Sequence, residues 1–190
     1  RIGLGRAYLG MNEKGQALLE FEQALNKQPD NPEILIELGK LQNSMGMEEQ
    51  ADQTFERVEK SKSSNGECFL NIAQHFVERS NLPRALKYLE MAHELSPYHP
   101  DIQRTLGQTL AKQKRHIEAL AVFQQAVETY PNCEWGHVGI VSSADATAAF
   151  ALKAGSQKKL LEIRNSGAED WCDYGETLIR LGRFDDAQDA

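Results

Sequence analysis

Cysteine is scarce and irregularly placed. The three thiols, Cys68, Cys133 and Cys172, form no Cys-x-x-Cys pair, so neither a zinc knuckle nor a thioredoxin-type redox motif is present. Free thiols fit a reducing compartment, which makes the cytoplasm the expected location; nothing else in the chain bears on it. Proline is low at 6 residues and glycine ordinary at 14, which excludes a collagen, a loop-rich secreted scaffold and a disordered tail. Basic side chains are outnumbered, 21 against 28 acidic ones, for a net charge of −7. Bulk binding to nucleic acid or to an anionic membrane surface needs clustered Lys and Arg, so both are excluded as expectations. No apolar run reaches the roughly 18 residues of a transmembrane span, so no membrane insertion is expected. Aromatics make up only 7%, yet the hydrophobic fraction of 41% over 190 residues suffices for a core.

Repetition is what the chain does have. Shifted on itself by 34 residues, it places Pro29, Ser63, Pro97 and Pro131 in one column and Ala17, Ala51, Ala85 and Ala119 in another. Phe21, Phe55, Leu89 and Phe123 form a third column, and Ala24, Val58, Ala92 and Ala126 a fourth. Earlier in the unit Leu4, Leu38, Ile72 and Leu106 align, each followed by Gly5, Gly39, Ala73 or Gly107. Inside a unit the apolar and small positions recur three and four apart, the period of an amphipathic helix, and each unit holds two such helices. Breaks between the two are expected at Gly15, Gly46, Asn81 with Pro83, and Gln113-Lys114-Arg115. Pro29, Pro97 and Pro131 end second helices, and Pro32 and Pro100 suit the first turn of the next. One unit cannot bury both faces of its helices, so neighbours must stack.

With Leu4, Gly5, Tyr8, Ala17, Phe21, Ala24 and Pro29 in the first unit, the chain resembles the tetratricopeptide repeat family. The third unit carries Phe69, Ile72, Ala73, Phe76, Ala85, Leu89, Ala92 and Pro97 in the same pattern, and the fourth Leu106, Gly107, Leu110, Ala119, Phe123, Ala126 and Pro131. The resemblance implies an all-α fold, an α-solenoid of stacked antiparallel helix pairs wound as a right-handed superhelix. Residues 1–133 divide into four repeats, 1–31, 32–65, 66–99 and 100–133, the first of them truncated. Residues 134–167 are a degenerate helix pair, because Lys153 and Gln157 fall where Ala and Phe belong; Ser142-Ser143 would start one helix and Ser156 cap another. Residues 168–190 resume the pattern with Trp171, Tyr174, Gly175, Leu178 and Ala187 as a truncated repeat. The register puts Arg1 inside a first helix and Ala190 early in a second, so a longer native chain is expected.

No constellation for catalysis emerges. No His-Glu-x-x-His, phosphate loop or Gly-x-Ser-x-Gly is found, and Cys133, Glu134 and His137 lack a third partner for a metal. The reading is a non-enzyme without cofactor or metal. The family resemblance implies that first helices line a concave groove, where the register places Arg6, Glu33, Glu37, Lys40, Glu67, Asn71, Gln74, Asp101, Arg104, Thr105, Gln108, Lys112, Asp173 and Glu176. Glu37, Lys40, Asn71, Gln74, Arg104, Thr105, Gln108 and Lys112 are the candidate partner-binding residues. A chaperone-tail clamp would need a cationic pair where Asp101 and Thr105 stand, and an asparagine ladder would need Asn where Glu37 and Thr105 stand. The expected function is a scaffold that binds a peptide or a partner helix. A recruiting or regulatory arm of a larger enzyme, such as a transferase, and a self-assembling adaptor that forms homo-oligomers through uncapped ends are the alternatives.

Overall fold

A computed structural model describes residues 1–164 and 166–189. Among these the regular structure is helical, in the order α1 (Ile2–Gly10), α2 (Lys14–Lys27), α3 (Pro32–Ser44), α4 (Glu48–Lys60), α5 (Gly66–Glu78) and α6 (Leu82–Leu95). There follow α7 (Pro100–Lys112), α8 (His116–Thr129), α9 (Glu134–Thr147), α10 (Phe150–Ile163), α11 (Ala168–Arg180) and α12 (Phe184–Gln188). Residues 1–96 and 97–190 form two compact units.

Local chemistry sets the helix ends. The Asn31 side chain accepts hydrogen bonds from the backbone N–H groups of Glu33 and Ile34, and Pro32 opens α3 with a ring preset for helical φ. Asn65 caps α5 through the N–H of Cys68, and Asn81 caps α6 through that of Arg84. Within each helix pair the chain reverses through one left-handed residue: Asn12, Gly46, Ser80, Lys114, Ala148 and Gly182, all with φ between 54° and 79°. These six lie 34 residues apart in series, so the backbone repeat runs unbroken through residues 134–167, where the side-chain pattern lapses.

Two sequence expectations need correction here. Gly15 lies in the first turn of α2 rather than in a break; Asn12 makes that turn instead. Ser142 and Ser143 lie inside α9, and Ser156 inside α10, so none of the three begins a helix. The break falls at Ala148 and Ala149 because the turn follows the 34-residue backbone register and not the nearest good capping residue.

Packing follows from a small residue facing a large one. The Phe21, Phe55 and Phe123 rings of second helices are at most 2% exposed. They lie so close to Gly5, Gly39 and Gly107 of the preceding first helices that an added Cβ would stand 2.5–2.6 Å from a ring carbon. In residues 1–96, Phe55 also meets Phe76 and Tyr88 edge to face at 5.6 and 6.0 Å between centroids. Each such buried ring contributes roughly 1.5–3 kcal/mol.

Substituting Gly39→Leu should therefore overpack the contact with Phe55 and cost roughly 1–3 kcal/mol in a urea unfolding titration. Gly46→Ala should lose about 1 kcal/mol, whereas Ala148→Gly should gain about 0.5–1 kcal/mol, because only glycine holds the left-handed turn without a Cβ penalty.

Candidate functional site

In residues 1–96 the first-helix face is a chain of polar links running from α1 to α3 to α5. The Arg6 guanidinium donates to Glu37 at 2.8 and 3.2 Å and to Glu33 at 3.0 Å. The Lys40 ammonium donates to Asn71 Oδ1, and His75 Nε2 lies 2.9 Å from Asn43 Oδ1. Each link joins residues 27 to 32 apart in sequence, about one repeat less a helical turn, the offset that sets side chains of successive first helices opposite one another. Of the candidate residues, Glu37, Lys40 and Asn71 are thus already bonded to protein, while Gln74 is exposed. Their charges are largely answered from within the face.

The electrostatics agree with that geometry. Burial lowers the Lys40 ammonium from its ordinary value; Glu37 and Glu78 oppose the shift and Arg6 adds to it. Burial, with help from Lys40 and Arg79, pulls the His75 imidazole down to about 4, so the ring is neutral at pH 7 and its Nε2–H is free to donate to Asn43.

Residues 97–190 present a different face. Arg104 pairs with Asp101 of its own helix at 2.7 Å, and the Thr105 hydroxyl donates to the Asp101 carbonyl at 2.7 Å, so among the described residues both are held within α7. Gln108 and Lys112, both exposed, stand at the rim of an open groove of about 590 Å³ between α7 and α9. Its floor is Phe123, and Trp135, Val138, Gly139 and Ser142 of α9 form the opposite wall. Gly139 packs its backbone against that ring: a Cβ there would lie 2.5 Å from it, and the ring stays 2% exposed. Trp135 stands edge to face with Phe123 at 6.5 Å. Among the described residues Lys112 has no ion-pair partner, whereas Glu134 is held by Arg164 at 2.5 Å.

Sequence reasoning missed Trp135, Val138, Gly139 and Ser142. The signal was available, because adding 34 to the candidate positions Asp101, Arg104, Thr105 and Gln108 gives those four. His137 is spoken for structurally, with Nε2 2.9 Å from the Pro131 carbonyl and Nδ1 3.3 Å from Ser156 Oγ. Burial raises the neighbouring Cys133 thiol above its ordinary value, which disfavours the thiolate a metal would need.

Residues 67–132 match the tetratricopeptide repeat family model. Those residues are tetratricopeptide repeats, and the helices on either side continue the same paired arrangement. It is 23% identical over 192 residues to anaphase-promoting complex subunit 3 of Schizosaccharomyces pombe, covering 98% of this chain and 28% of that protein. It is 30% identical over 133 residues to tetratricopeptide repeat protein 21B of Mus musculus, covering 66% of this chain and 10% of that one. The chain thus spans less than a third of the length of these curated relatives. Among solved structures it is similar to YrrB, described as a tetratricopeptide protein with an unusual peptide-binding site, at a TM-score of 0.63, 20% identity, and 89% and 87% coverage of the two chains. It is likewise similar to MamA, at a TM-score of 0.65, 17% identity, and 88% and 92% coverage. These likenesses make the fold an α-solenoid of stacked helix pairs. Tetratricopeptide repeats generally mediate protein–protein interaction and are generally non-catalytic. No helix among the described residues is long and apolar enough to cross a membrane.

The polar face of residues 1–96 carries a pH signature. His75 titrates lower when folded than when unfolded, so its contribution is complete above about pH 6.5 and is lost as the pH falls toward about 4. The urea midpoint should drop between pH 7 and pH 4.5, and His75→Gln should flatten that dependence.

Proposed function

We propose that this chain is a protein-interaction scaffold, and that the groove between α7 and α9 receives an extended peptide or a partner helix. The observation that supports this is the groove itself. It combines an apolar floor and wall, Phe123, Trp135 and Val138, with polar rim groups Gln108, Lys112 and Ser142. An aromatic anchor surrounded by a few polar groups is the usual composition of an energetically important contact region. Lys112, uncommitted to any carboxylate among the described residues, favours an acidic residue in the bound segment. In this reading Glu37, Lys40, Asn71 and Gln74 act mainly as a braced polar surface, and Arg104 and Thr105 flank the groove.

The relative in the anaphase-promoting complex is by its name a subunit of a larger assembly, and we extend that role to this chain: a receiving element within a multiprotein body. The span of the relatives beyond this chain also leaves room for the recruiting-arm reading. Self-assembly finds its support in the exposed apolar side chains of Trp171, Ile179 and Phe184, which are 41%, 53% and 64% exposed. Sedimentation over a range of concentrations separates that reading from a monomeric receptor.

Panning a random dodecamer display library on the immobilised chain tests the groove. Enriched peptides should lose about tenfold or more in affinity to Trp135→Ala, and as much to Gln108→Trp, which crowds the groove from an exposed position. Lys40→Ala should leave their affinity unchanged. Peptides that bind Gln108→Trp as tightly as the parent chain would move the site elsewhere.

A further inference from the structure

The degenerate repeat leaves a hole where the first, second and fourth repeats put a ring. In the column of Phe21, Phe55, Leu89 and Phe123 the fifth occupant is Gln157, and in the column of Gly5, Gly39, Ala73 and Gly107 it is Val141. Val141 and Gln157 line a cavity of about 220 Å³ enclosed by α9, α10 and the start of α11. Val138, Leu160 and Leu161 complete its apolar wall. α3 touches α5 and α7 touches α9 directly, whereas α11 reaches this unit chiefly through α10. The cavity adjoins the α7–α9 groove, since Val138 and Ser142 border both.

Three observations define what fits. The volume is below the roughly 300–1,000 Å³ of sites for drug-sized ligands, so it suits a single side chain. Gln157 is 7% exposed and its Oε1 has no hydrogen-bond partner among the described residues, so a chamber walled by four aliphatic side chains, with Ser142 and Ser166 also in its lining, holds one buried and unpartnered acceptor. At the mouth, Arg164 is occupied by Glu134, while the Asp170 and Asp173 carboxylates have no cation beside them among the described residues. A lysine or arginine head would bring three or five donors to a single acceptor. An indole brings one N–H on a large apolar body.

We infer that this cavity is an anchor site for a tryptophan side chain of a partner peptide, its indole N–H donating to Gln157 Oε1 and flanking basic residues meeting Asp170 and Asp173. The partner's ring takes the place that the chain's own phenylalanine fills in the first, second and fourth repeats. This rests on the reading that the α7–α9 face receives a peptide, and it specifies that peptide's anchor.

The test is methyl NMR of the whole chain titrated with the peptides Ac-Lys-Trp-Lys-NH2, Ac-Lys-Phe-Lys-NH2 and Ac-Lys-Leu-Lys-NH2. The tryptophan peptide should shift the methyl signals of Val141, Leu160 and Leu161 saturably, the phenylalanine peptide should bind about fivefold more weakly for want of one hydrogen bond, and the leucine peptide more weakly still. The double substitution Val141→Gly/Gln157→Phe rebuilds the internal ring contact; it should raise the thermal midpoint and abolish the shifts. Gln157→Leu keeps the chamber apolar, needs no repacking partner, and should erase the preference for tryptophan over phenylalanine. Absent methyl shifts, equal binding of all three peptides, or unchanged tryptophan preference in Gln157→Leu would each overturn the inference. Gln108→Trp lies outside the cavity and should retain the methyl shifts. Shifts kept while library peptides ignore Gln108→Trp would count against the groove alone; groove binding kept without methyl shifts would count against the anchor alone.

Discussion

One contact organises three of the helix pairs, α1–α2, α3–α4 and α7–α8: the ring of a second helix seated on a residue of the first helix that has no side chain. Phe21 on Gly5, Phe55 on Gly39 and Phe123 on Gly107 bring backbone and ring within distances that no Cβ tolerates. Close approach excludes water and converts the ring's area into burial, and it fixes the spacing at which the next pair must stack. The backbone turn that makes the approach possible recurs at every unit, even where its residue is Lys114 or Ala148 rather than glycine. Stacking therefore imposes the turn on sequences that would not choose it alone.

The same constraint explains where the surface becomes chemically available. When the small-and-ring pair is intact, the first helices of residues 1–96 stand close enough for Arg6, Lys40 and Asn43 to reach across to the next helix, and the polar face closes on itself. Between α7 and α9 the equivalent positions hold Val138, Gly139 and Ser142, which are too short or too apolar to bridge, and an open groove lies above the buried Phe123 ring. One repeat further, the pair itself is replaced by Val141 and Gln157 and an internal chamber appears. The lapse of the repeat pattern and the opening of groove and chamber thus fall on the same stretch of chain, α9 and α10.

The helix content, the pairing of helices and the breaks at Pro29, Pro97 and Pro131 were legible in the sequence, because 34-residue columns and 3.6-residue periodicity are local properties of side-chain size. The turn at Ala148 was not, since neither alanine nor the serines around it carries a left-handed preference; the register imposed by neighbouring pairs settled it. The first-helix candidates were legible as positions but not as roles. Glu37 turns out to be bonded to Arg6 of α1 and Lys40 to Asn71 of α5, and Gln108 and Lys112 to stand over a groove.

The amino-acid order alone determined that this chain must be stacked helix pairs, because small and bulky residues at fixed intervals can be buried in no other way. Only the tertiary structure decided which polar groups neutralise each other and where a floor or a chamber stays uncovered. Those outcomes depend on distances between side chains about thirty residues apart, and such distances exist only once the helices have packed.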